Sequence, residues 1–494
     1  MRRVIFRLLA FVVIFSSLIY SPLAGQKASE KALKDLDKFI MSSMEDWKIP
    51  GLGVAIVKDG EVIFSKGFGY RDVEKGLKVG PETIFNIGSN SKSFTATCAG
   101  ILVDDGKLEW DKPVKDYLPF FELKDPYASL CATPRDLLSH RTGLPRHDTF
   151  WDNSPLSRKE IIMHLRYLPP SAGFRQIMQY TNNMIMTAGY LVGHIAGTTW
   201  EGFCKERILD PLGMKDTNFS NEDSKKSGDY ALPYLLQDGK FVEIPYHDVH
   251  QIGPAAAMNS NVIDMANWLK LNLNKGKFNG KQIISEATLN ELHTPQVVEG
   301  NSIPYYVTYY QTYGIGWRIT NYRGHIMLYH GGGIDGFRAE VFLFPQDNIG
   351  MVVFVNTRSY MPKLVAYNAF DHLAGLKPMD WTKRFKEAQT SRSAAEEERK
   401  SNTKPSHPLK DYAGDYKHPG YGIFTVSQEN DQLKAIYNGI SYPMAHFHYD
   451  IFEFVNDRRN RKVSFFMDTA GNISSLNVVM EPAVDPIVFN KVSK

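Results

Sequence analysis

Predicted β-strands stand at both ends of a long helix-rich segment, and this order restricts the possible folds more than any other feature of the chain. Residues 52–57 and 61–68 flank the turn Lys58-Asp59-Gly60, a pattern typical of a β-hairpin. The helical patterns then occupy residues 91–103, 135–138, 184–195, 200–208 and 263–273, and strand patterns return at residues 315–320, 325–329, 337–344 and 350–356, before a closing helix at 364–373. This order predicts an α+β domain whose antiparallel β-sheet is built from both ends of the segment and is flanked by helices.

The composition changes after residue 378, which predicts a second, smaller domain. Residues 379–408 are charged and helix-prone until Lys404-Pro405-Ser406-His407-Pro408 breaks the pattern, so we interpret them as a helical linker. Residues 409–494 contain short alternating runs separated by Gly, Asn and Asp, which is typical of a small all-β domain. The main domain is therefore expected at residues 26–378.

The first 25 residues have the pattern of a secretory signal peptide. Arg2, Arg3 and Arg7 precede an apolar run at residues 8–20, and small residues at 21–25 would suit cleavage near Gly25. We therefore predict an exported protein, periplasmic or secreted. An uncleaved signal that anchors the chain near a membrane is the alternative, although the run is shorter than the roughly 20 residues that span a bilayer.

Charge and cysteine content exclude several classes of function. Lysine and arginine number 57 against 54 acidic residues, for a formal net charge of +3, so nucleic acid is not an expected partner. Three cysteines, Cys98, Cys131 and Cys204, are too few and odd in number for a disulfide framework. Cys98 and Cys204 fall in helical patterns and are interpreted as small buried apolar residues. The sequence indicates no cofactor and no protein partner.

A serine and a lysine at helical spacing form the first candidate catalytic pair. Ser89 and Lys92 are three residues apart at the start of a helix that is apolar on nearly every side, so their side chains share a buried face. A desolvated lysine can accept the proton of a serine hydroxyl and make it a nucleophile. The same spacing recurs at Ser401 and Lys404, but that stretch is charged and lacks an apolar face, so we interpret it as accidental.

Two later motifs could complete a hydrolytic site. Tyr180-Thr181-Asn182 offers a phenol for proton transfer and an amide that could hold Lys92 and a substrate carbonyl together. His330-Gly331-Gly332-Gly333 lies between two predicted strands, and its glycines would let the backbone approach a ligand closely. The Gly333 N–H could then join the Ser89 N–H in an oxyanion hole.

These three motifs, in this order, resemble those of the serine β-lactamase and penicillin-binding-protein superfamily, in the branch related to class C β-lactamases. The resemblance covers about residues 30–378. Other sequence segments also agree with this superfamily. They are Phe85-Asn86-Ile87-Gly88, residues 137–144, Pro211-Leu212-Gly213-Met214, Tyr313-Gly314-Ile315-Gly316-Trp317 and Asn356 after a strand. It implies a β-lactamase/transpeptidase-like fold, in which helices flank the sheet and an all-helical lobe is added. The tail from residue 409 resembles the small β domain often appended to such enzymes.

The resemblance also implies roles for the motif residues. Ser89 would be acylated and Asn182 would position the substrate, while Lys92 and Tyr180 would share the proton transfers, with the base left open between them. His330 would stand where β-lactamases carry lysine and would titrate near pH 6.5, which weakens the case for carboxylate-bearing β-lactams.

Gly331, Gly332 and Gly333 would line the oxyanion and substrate region. Asn356 is either a substrate contact or a strand-end cap. Ala255-Ala256-Ala257 replaces glycine found in relatives and would narrow the pocket.

The implied function is a serine hydrolase that acts through an acyl-enzyme. Its expected partner is a small-molecule or peptide substrate: a D-amino-acid peptide, a peptidoglycan stem, a small ester or a β-lactam. A slowly acylating sensor or scaffold is the alternative. A metal site was considered at His446-Phe447-His448-Tyr449-Asp450, but the alternation is typical of a strand, and we predict no metal.

Overall fold

The computed structural model describes residues 22–300, 308–390, 399–400, 402–455, 457 and 459–492. Its helices are α1 Pro22–Trp47, α2 Ser91–Asp104, α3 Val114–Tyr117, α4 Pro126–Cys131, α5 Pro134–Leu138, α6 Asp148–Trp151, α7 Arg158–His164, α8 Asn182–Ala196, α9 Trp200–Cys204, α10 Asp210–Leu212, α11 Asn221–Lys226, α12 Gly253–Ala256, α13 Val262–Leu273, α14 Glu286–Leu292, α15 Met361–Leu373, α16 Trp381–Thr390 and α17 Leu409–Tyr412.

Its strands are β1 Gly51–Lys58, β2 Glu61–Asp72, β3 Leu77–Lys78, β4 Phe85–Asn86, β5 Tyr234–Gln237, β6 Lys240–Glu243, β7 Asn259–Ser260, β8 Lys277–Phe278, β9 Lys281–Gln282, β10 Val297–Gly300, β11 Thr308–Tyr313, β12 Arg318–Tyr322, β13 His325–Ile334, β14 Phe337–Phe344, β15 Ile349–Val355, β16 Gly414–His418, β17 Gly422–Glu429, β18 Gln432–Tyr437, β19 Ile440–His448, β20 Ile451–Phe454, β21 Lys462–Met467, β22 Ile473–Val478 and β23 Ile487–Lys491.

A nine-stranded antiparallel sheet joins the two ends of the main domain. Its order is β10-β11-β12-β13-β14-β15-β1-β2-β3, so the N-terminal hairpin β1–β2 pairs directly with the last strand, β15. Val54 lies opposite Val353 in this pairing, and both are fully buried because helices cover both faces of the sheet. The prediction of an α+β fold with a sheet built from both ends is confirmed.

Helices cover the sheet on two sides and form two hydrophobic cores. On one face α2 carries Phe94, whose ring stacks on Trp268 of α13 at a centroid distance of 3.9 Å. On the other face α1, α15 and α16 pack against the sheet, with Leu36 and Trp381 buried. Helix α2 is buried over almost its whole length, as its apolar sequence predicts, and this holds its first turn firmly in the core.

The predicted boundaries of β2, β12 and β13 are wrong. The strand predicted at 61–68 continues to Asp72. The strand predicted at 315–320 begins only at Arg318, because Gly316 has φ +78° and the Gly314 N–H bonds to the Trp317 carbonyl across a turn at 2.8 Å. The strand predicted to end at residue 329 continues to Ile334. The three glycines at 331–333 therefore lie inside β13 and not between strands.

The C-terminal part is a closed eight-stranded barrel, β16 to β23, in which β16 pairs with β23. Closure leaves no open sheet edge, and alternate residues point inward. The inward side chains are largely aromatic and include Tyr416, Phe424, Phe465 and Phe489. The prediction of an all-β C-terminal part is confirmed.

The signal-peptide prediction falls mainly on residues 1–21, which lie outside the described residues, while residues 22–25 belong to α1. It stays a prediction. Among the described residues, no helix combines the length and the apolar character that crossing a membrane requires.

Candidate active site

Ser89 lies in a tight helical turn, Gly88–Asn90, that precedes α2 and projects its side chain into a cleft. Side chains fix this turn: the Asn86 Oδ1 accepts the Gly88 N–H at 2.8 Å, and the Ser91 hydroxyl donates to the Gly88 carbonyl at 2.7 Å. Gly88 has φ +51°, a conformation that favours glycine. The Ser89 N–H is among the first of a helix, which have no acceptor within it. The turn therefore presents both a hydroxyl and a backbone donor to the cleft.

Strand β13 packs directly against this turn, and only glycine permits the contact. A Cβ on Gly332 would lie 1.9 Å from the Ile87 carbonyl oxygen, and a Cβ on Gly88 would lie 3.0 Å from the Gly333 nitrogen. The triple glycine thus brings the backbone of residue 333 beside that of Gly88, which directly precedes Ser89. Gly331 and Gly333 line the cleft with Ser89.

Lys92 is fully buried below Ser89 and has three close oxygen neighbours. Its Nζ lies 2.9 Å from the Ser89 Oγ, 2.8 Å from the Asn182 Oδ1 and 2.9 Å from the Ala255 carbonyl oxygen. Burial lowers the pKa of the Lys92 amine, although the Tyr180 phenol opposes this shift. The neutral amine therefore forms more readily here than for a lysine in water.

The carboxylate of Asp148 determines how the Asn182 amide is oriented. Asp148 Oδ1 accepts from the Asn182 Nδ2 at 3.0 Å, and its Oδ2 accepts from the Arg146 Nε at 2.6 Å. Because a carboxylate paired with arginine only accepts, the Asn182 NH₂ must face it. The amide oxygen of Asn182 then faces Lys92.

These contacts determine the direction of the Lys92 lone pair when the amine is neutral. Asn182 Oδ1 and the Ala255 carbonyl can only accept, so they take the two N–H donors of a neutral amine. The remaining position of the nitrogen, its lone pair, then faces the Ser89 Oγ at 2.9 Å. Lys92 is placed to accept the proton of Ser89.

Tyr180 lies above this pair, with the centre of its ring 4.8 Å from the Lys92 Nζ. Burial raises the pKa of the Tyr180 phenol, but the neighbouring charges of Lys92 and Arg318 hold it below the usual value. Lys92 and Tyr180 therefore form one coupled proton-carrying unit beside Ser89.

Arg318 is the second strong positive charge on Tyr180. Its guanidinium carbon lies 5.2 Å from the centre of the Tyr180 ring. Glu299 holds the guanidinium with three contacts, Nε to Oε1 at 2.8 Å, Nε to Oε2 at 2.9 Å and Nη2 to Oε1 at 2.7 Å. Arg146 approaches the same ring at 5.2 Å from another direction. Two guanidiniums therefore lie on Tyr180.

His330 does not have the charge behaviour that the sequence analysis expected. It is fully buried, and burial together with the charge of Arg318 lowers its pKa well below the usual value, so the expectation of titration near pH 6.5 is wrong. The His330 Nδ1 lies 3.2 Å from the Gly331 carbonyl, which can only accept, so Nδ1 carries the hydrogen and Nε2 accepts from the Tyr313 hydroxyl at 3.0 Å. His330 is therefore a neutral, buried side chain that packs beside the cleft.

His140 packs against the same aromatic side chains, Tyr180 and Tyr313. Its Nδ1 accepts the Thr181 N–H at 3.3 Å, and its ring packs on Tyr180 at 4.4 Å and on Tyr313 at 4.8 Å. Burial lowers the pKa of His140 well below its usual value, and the charge of Lys92 adds to this effect. The imidazole therefore contributes packing and no charge.

The cleft that joins these groups has a volume of about 1060 Å³. Ser89, Tyr180, Asn182, Gly331 and Gly333 all line it, so the structure brings these sequence-predicted residues together. Ala256 lines it as well, on the side where the Ala255 carbonyl holds Lys92.

Asn356 is the predicted site residue that the structure places elsewhere. Its Nδ2 donates to the Tyr70 carbonyl at 3.2 Å and to the Leu232 carbonyl at 3.1 Å, and its side chain is fully buried. Both amide hydrogens are therefore used in joining backbone segments at the end of β15. These contacts fit the interpretation as a strand-end residue.

Four residues of the site had no role in the sequence analysis: Arg146, Asp148, Glu299 and Arg318. None of them belongs to a short motif, and each acts through a partner distant in sequence. His140 and Tyr313 lie in sequence segments that agree with the resemblance. This agreement was the sequence signal for them.

The candidate metal site and the cysteines take ordinary structural roles. His446 and His448 lie in β19, and the His446 Nε2 bonds to the Tyr449 carbonyl at 2.8 Å. Within the described residues no group of three potential metal ligands is found. Cys98 and Cys204 are buried free thiols, as predicted.

Comparisons with known proteins agree with this geometry. The sequence matches the family described as Beta-lactamase over residues 36–376, and the family described as Domain of unknown function (DUF3471) over residues 398–491. A similar curated protein is the unguisins hydrolase ungD' of Aspergillus campestris, which is 29% identical over 426 residues, covering 81% of this chain and 78% of the relative.

Two further relatives are similar over different lengths. Protein flp of Staphylococcus aureus strain MW2 is 29% identical over 344 residues, covering 68% of this chain and 65% of that protein. The structure of the octameric penicillin-binding protein homologue from Pyrococcus abyssi aligns with a TM-score of 0.64 and 25% identity, covering 92% of this chain and 99% of that chain. This structural match extends over both the sheet-containing part and the barrel.

Proposed function

Because this chain belongs to the beta-lactamase family of serine hydrolases, we propose that it cleaves an ester, amide or D-amino-acid peptide bond through an acyl-enzyme on Ser89. The observation that carries the proposal is the environment of Lys92. Two obligate acceptors take the N–H donors of the neutral amine, which leaves its lone pair on the Ser89 Oγ.

The acylation step follows from this arrangement. The Ser89 Oγ attacks the substrate carbonyl carbon as its proton passes to Lys92, and the carbonyl oxygen becomes an oxyanion near the backbone N–H groups of Ser89 and Gly333. The proton then passes through Lys92 and Tyr180 to the leaving group as the carbon–leaving-group bond breaks. Water attacks the resulting ester and gives its proton to the same unit. The bond between the acyl carbon and the Ser89 Oγ then breaks, the unit returns the proton to this oxygen, and the acid leaves.

The charges of the cleft bear on the substrate class. Neutral, buried His330 offers no cation at the place where the resemblance implies a lysine, so a substrate carboxylate would meet other cations that line the cleft, among them Arg146, Arg318 and Arg459. One relative is named a hydrolase of unguisins and another a penicillin-binding protein homologue, and the first of these names supports a hydrolytic reaction.

Burst kinetics test the proposal. We expect a p-nitrophenyl ester to release one equivalent of nitrophenol rapidly and then to turn over steadily, because attack and hydrolysis of the acyl-enzyme are separate steps. Mass spectrometry of the quenched burst should show the acyl group on the peptide that contains Ser89. A single equivalent followed by silence would indicate a slowly acylating sensor, and an absence of any adduct on that peptide would refute the acyl-enzyme.

Arg318→Gln and Glu299→Gln should move the pH dependence of acylation in opposite directions. Loss of the guanidinium removes a cation that lowers the Tyr180 pKa. The acid limb of the pH–rate profile should therefore move to higher pH by about one unit. Loss of the Glu299 carboxylate leaves the Arg318 charge less neutralised, so the acid limb should move to lower pH. The measurement is the rate of labelling by a small neutral fluorophosphonate as a function of pH.

The other charged or titratable groups around Tyr180 are unchanged in both variants: Lys92, Arg146, His140, Tyr313 and His330. Arg207→Gln is the matched control, because it breaks a two-bond pair with Asp105 outside the cleft. A general structural disturbance would not move the acid limb to higher pH in Arg318→Gln and to lower pH in Glu299→Gln. Shifts of the same sign, or none, would contradict the assignment of Arg318.

A further inference from the structure

The barrel is attached to the helical lobe directly beside the catalytic cleft. The His147 N–H donates to the Glu481 Oε2 at 2.7 Å, and the His147 Nδ1 lies 2.6 Å from the Tyr421 hydroxyl. The Thr149 hydroxyl donates to the Met480 carbonyl at 2.9 Å. His147 and Thr149 stand on either side of Asp148, the residue that orients Asn182. The barrel is thus fixed at the edge of the reacting groups.

A second cavity of about 570 Å³ runs along this contact between lobe and barrel. It shares Arg146, Asp148 and Arg459 with the catalytic cleft, and the rest of its lining comes from barrel residues 460–462 and 479–482. The two cavities therefore meet at these three side chains. A substrate that reaches beyond the reacting carbonyl in this direction would lie against the barrel.

The carboxylates in this second cavity are already engaged. Asp148 accepts from Arg146 at 2.6 Å and from Asn182 at 3.0 Å. Glu481 accepts from the backbone of His147 at 2.7 Å. The carboxylates of Asp148 and Glu481 are therefore already occupied as acceptors. The side chains left to contact a ligand in this cavity are mainly hydrogen-bond donors.

Cations outnumber carboxylates in the lining. The cations are Arg146, Arg459, Arg461 and Lys462, against Asp148 and Glu481. Arg461 is paired with Asp457 at 2.9 Å, and the cations at the junction with the catalytic cleft are Arg146 and Arg459. The cavity is therefore suited to an anionic group.

Two guanidiniums retain donors at the junction of the cavities. Arg146 uses its Nε on Asp148 and leaves half of its side chain exposed, at 50%. Arg459 is exposed and donates from one terminal nitrogen to the Thr149 hydroxyl. Each guanidinium has five N–H donors in a planar fork that matches a carboxylate. Arg146 also lies on the Tyr180 ring, so this pair reaches from the reaction centre to the barrel.

We propose that Arg146 and Arg459 form a subsite that binds a carboxylate on the part of the substrate extending from Ser89 toward the barrel. The inference rests on the proposed acyl-enzyme function and narrows its substrate class. The substrate is a peptide or ester that carries an acidic group beyond the reacting carbonyl. The barrel supplies part of the binding wall through Arg459.

Matched substrates test the subsite. We would compare p-nitrophenyl esters whose acyl chains end in a carboxylate, at several spacer lengths, each beside its neutral carboxamide analogue. At the spacer that reaches the arginines, kcat/KM should favour the carboxylate by about tenfold or more, as expected for hydrogen bonds to a charged group. Arg459→Gln should remove this preference, mainly through KM.

Arg399→Gln is the control, since Arg399 is a barrel-contacting arginine outside both cavities. It should keep the preference for the carboxylate. The subsite is refuted if no spacer gives a preference in the unmodified protein, or if Arg459→Gln keeps it. Failure of every protein to hydrolyse p-nitrophenyl acetate would instead count against the acyl-enzyme function itself.

Discussion

Ser89→Ala is expected to abolish covalent labelling by a fluorophosphonate and to lower kcat/KM for a chromogenic ester by roughly 10⁴- to 10⁶-fold. The variant keeps the oxyanion donors and the substrate contacts but has no oxygen to form the acyl-enzyme. The loss should lie in kcat, because the interaction removed is made only during reaction. Labelling and steady-state kinetics on the purified full chain measure both effects.

The fold should survive this substitution. Lys92 keeps two of its three oxygen neighbours, Asn182 Oδ1 and the Ala255 carbonyl, and Ser89 itself is only partly buried. Thermal unfolding of the variant should therefore stay close to that of the unmodified protein. Ser401→Ala is the matched control, because Ser401 and Lys404 repeat the same spacing. Undiminished labelling of the Ser89→Ala variant would place the nucleophile elsewhere.

Much of the fold could be predicted from sequence because its signals are local. The hairpin β1–β2 needs only two strand-forming runs and the turn at Asp59-Gly60 between them, and the bounds of β14 are those that its apolar run predicts. The barrel strands β18 and β21 are short strands between turns, as the alternating runs of residues 409–494 predict. These elements depend on side-chain period and turn chemistry, which a single sequence shows.

The triple glycine shows where local reasoning fails. Glycine has a low strand propensity, so the pattern predicts that the strand ends before residue 331. The structure continues it because Gly331 pairs with Glu340 and because Gly332 must approach the Ile87 carbonyl without a side chain. The strand is extended by tertiary contacts that no local pattern contains.

The site was predictable to the extent that its residues share short motifs. Ser89 with Lys92, and Tyr180 with Asn182, carry their spacing in the sequence, and the structure brings both pairs together. The charge of His330 was not predictable, since it depends on burial under Tyr313, which lies 17 residues away on another strand. The role of Asp148 depends in the same way on a contact across 34 residues.

Lys92→Met is expected to lower the acylation rate by roughly 10²- to 10⁴-fold, the usual contribution of a positioned general base. Methionine has a similar length but no lone pair to accept the Ser89 proton. It also leaves the Asn182 Oδ1 and the Ala255 carbonyl without their donor, so some loss of thermal stability should accompany the kinetic effect. Lys115→Met, which breaks a surface pair with Glu122, controls for loss of a lysine.

The pH dependence of the residual activity separates catalysis from stability. In the unmodified protein the rate should rise with pH as the Lys92–Tyr180 unit loses a proton, at a pH below the usual pKa values of both groups. Without the Lys92 ammonium, a main cause of the low Tyr180 pKa is gone while burial still raises it. The acid limb of Lys92→Met should therefore move to higher pH, and the residual rate should depend on Tyr180 alone. A uniformly reduced rate with an unmoved limb would mean that Lys92 serves packing, and that the base is a group outside this coupled pair.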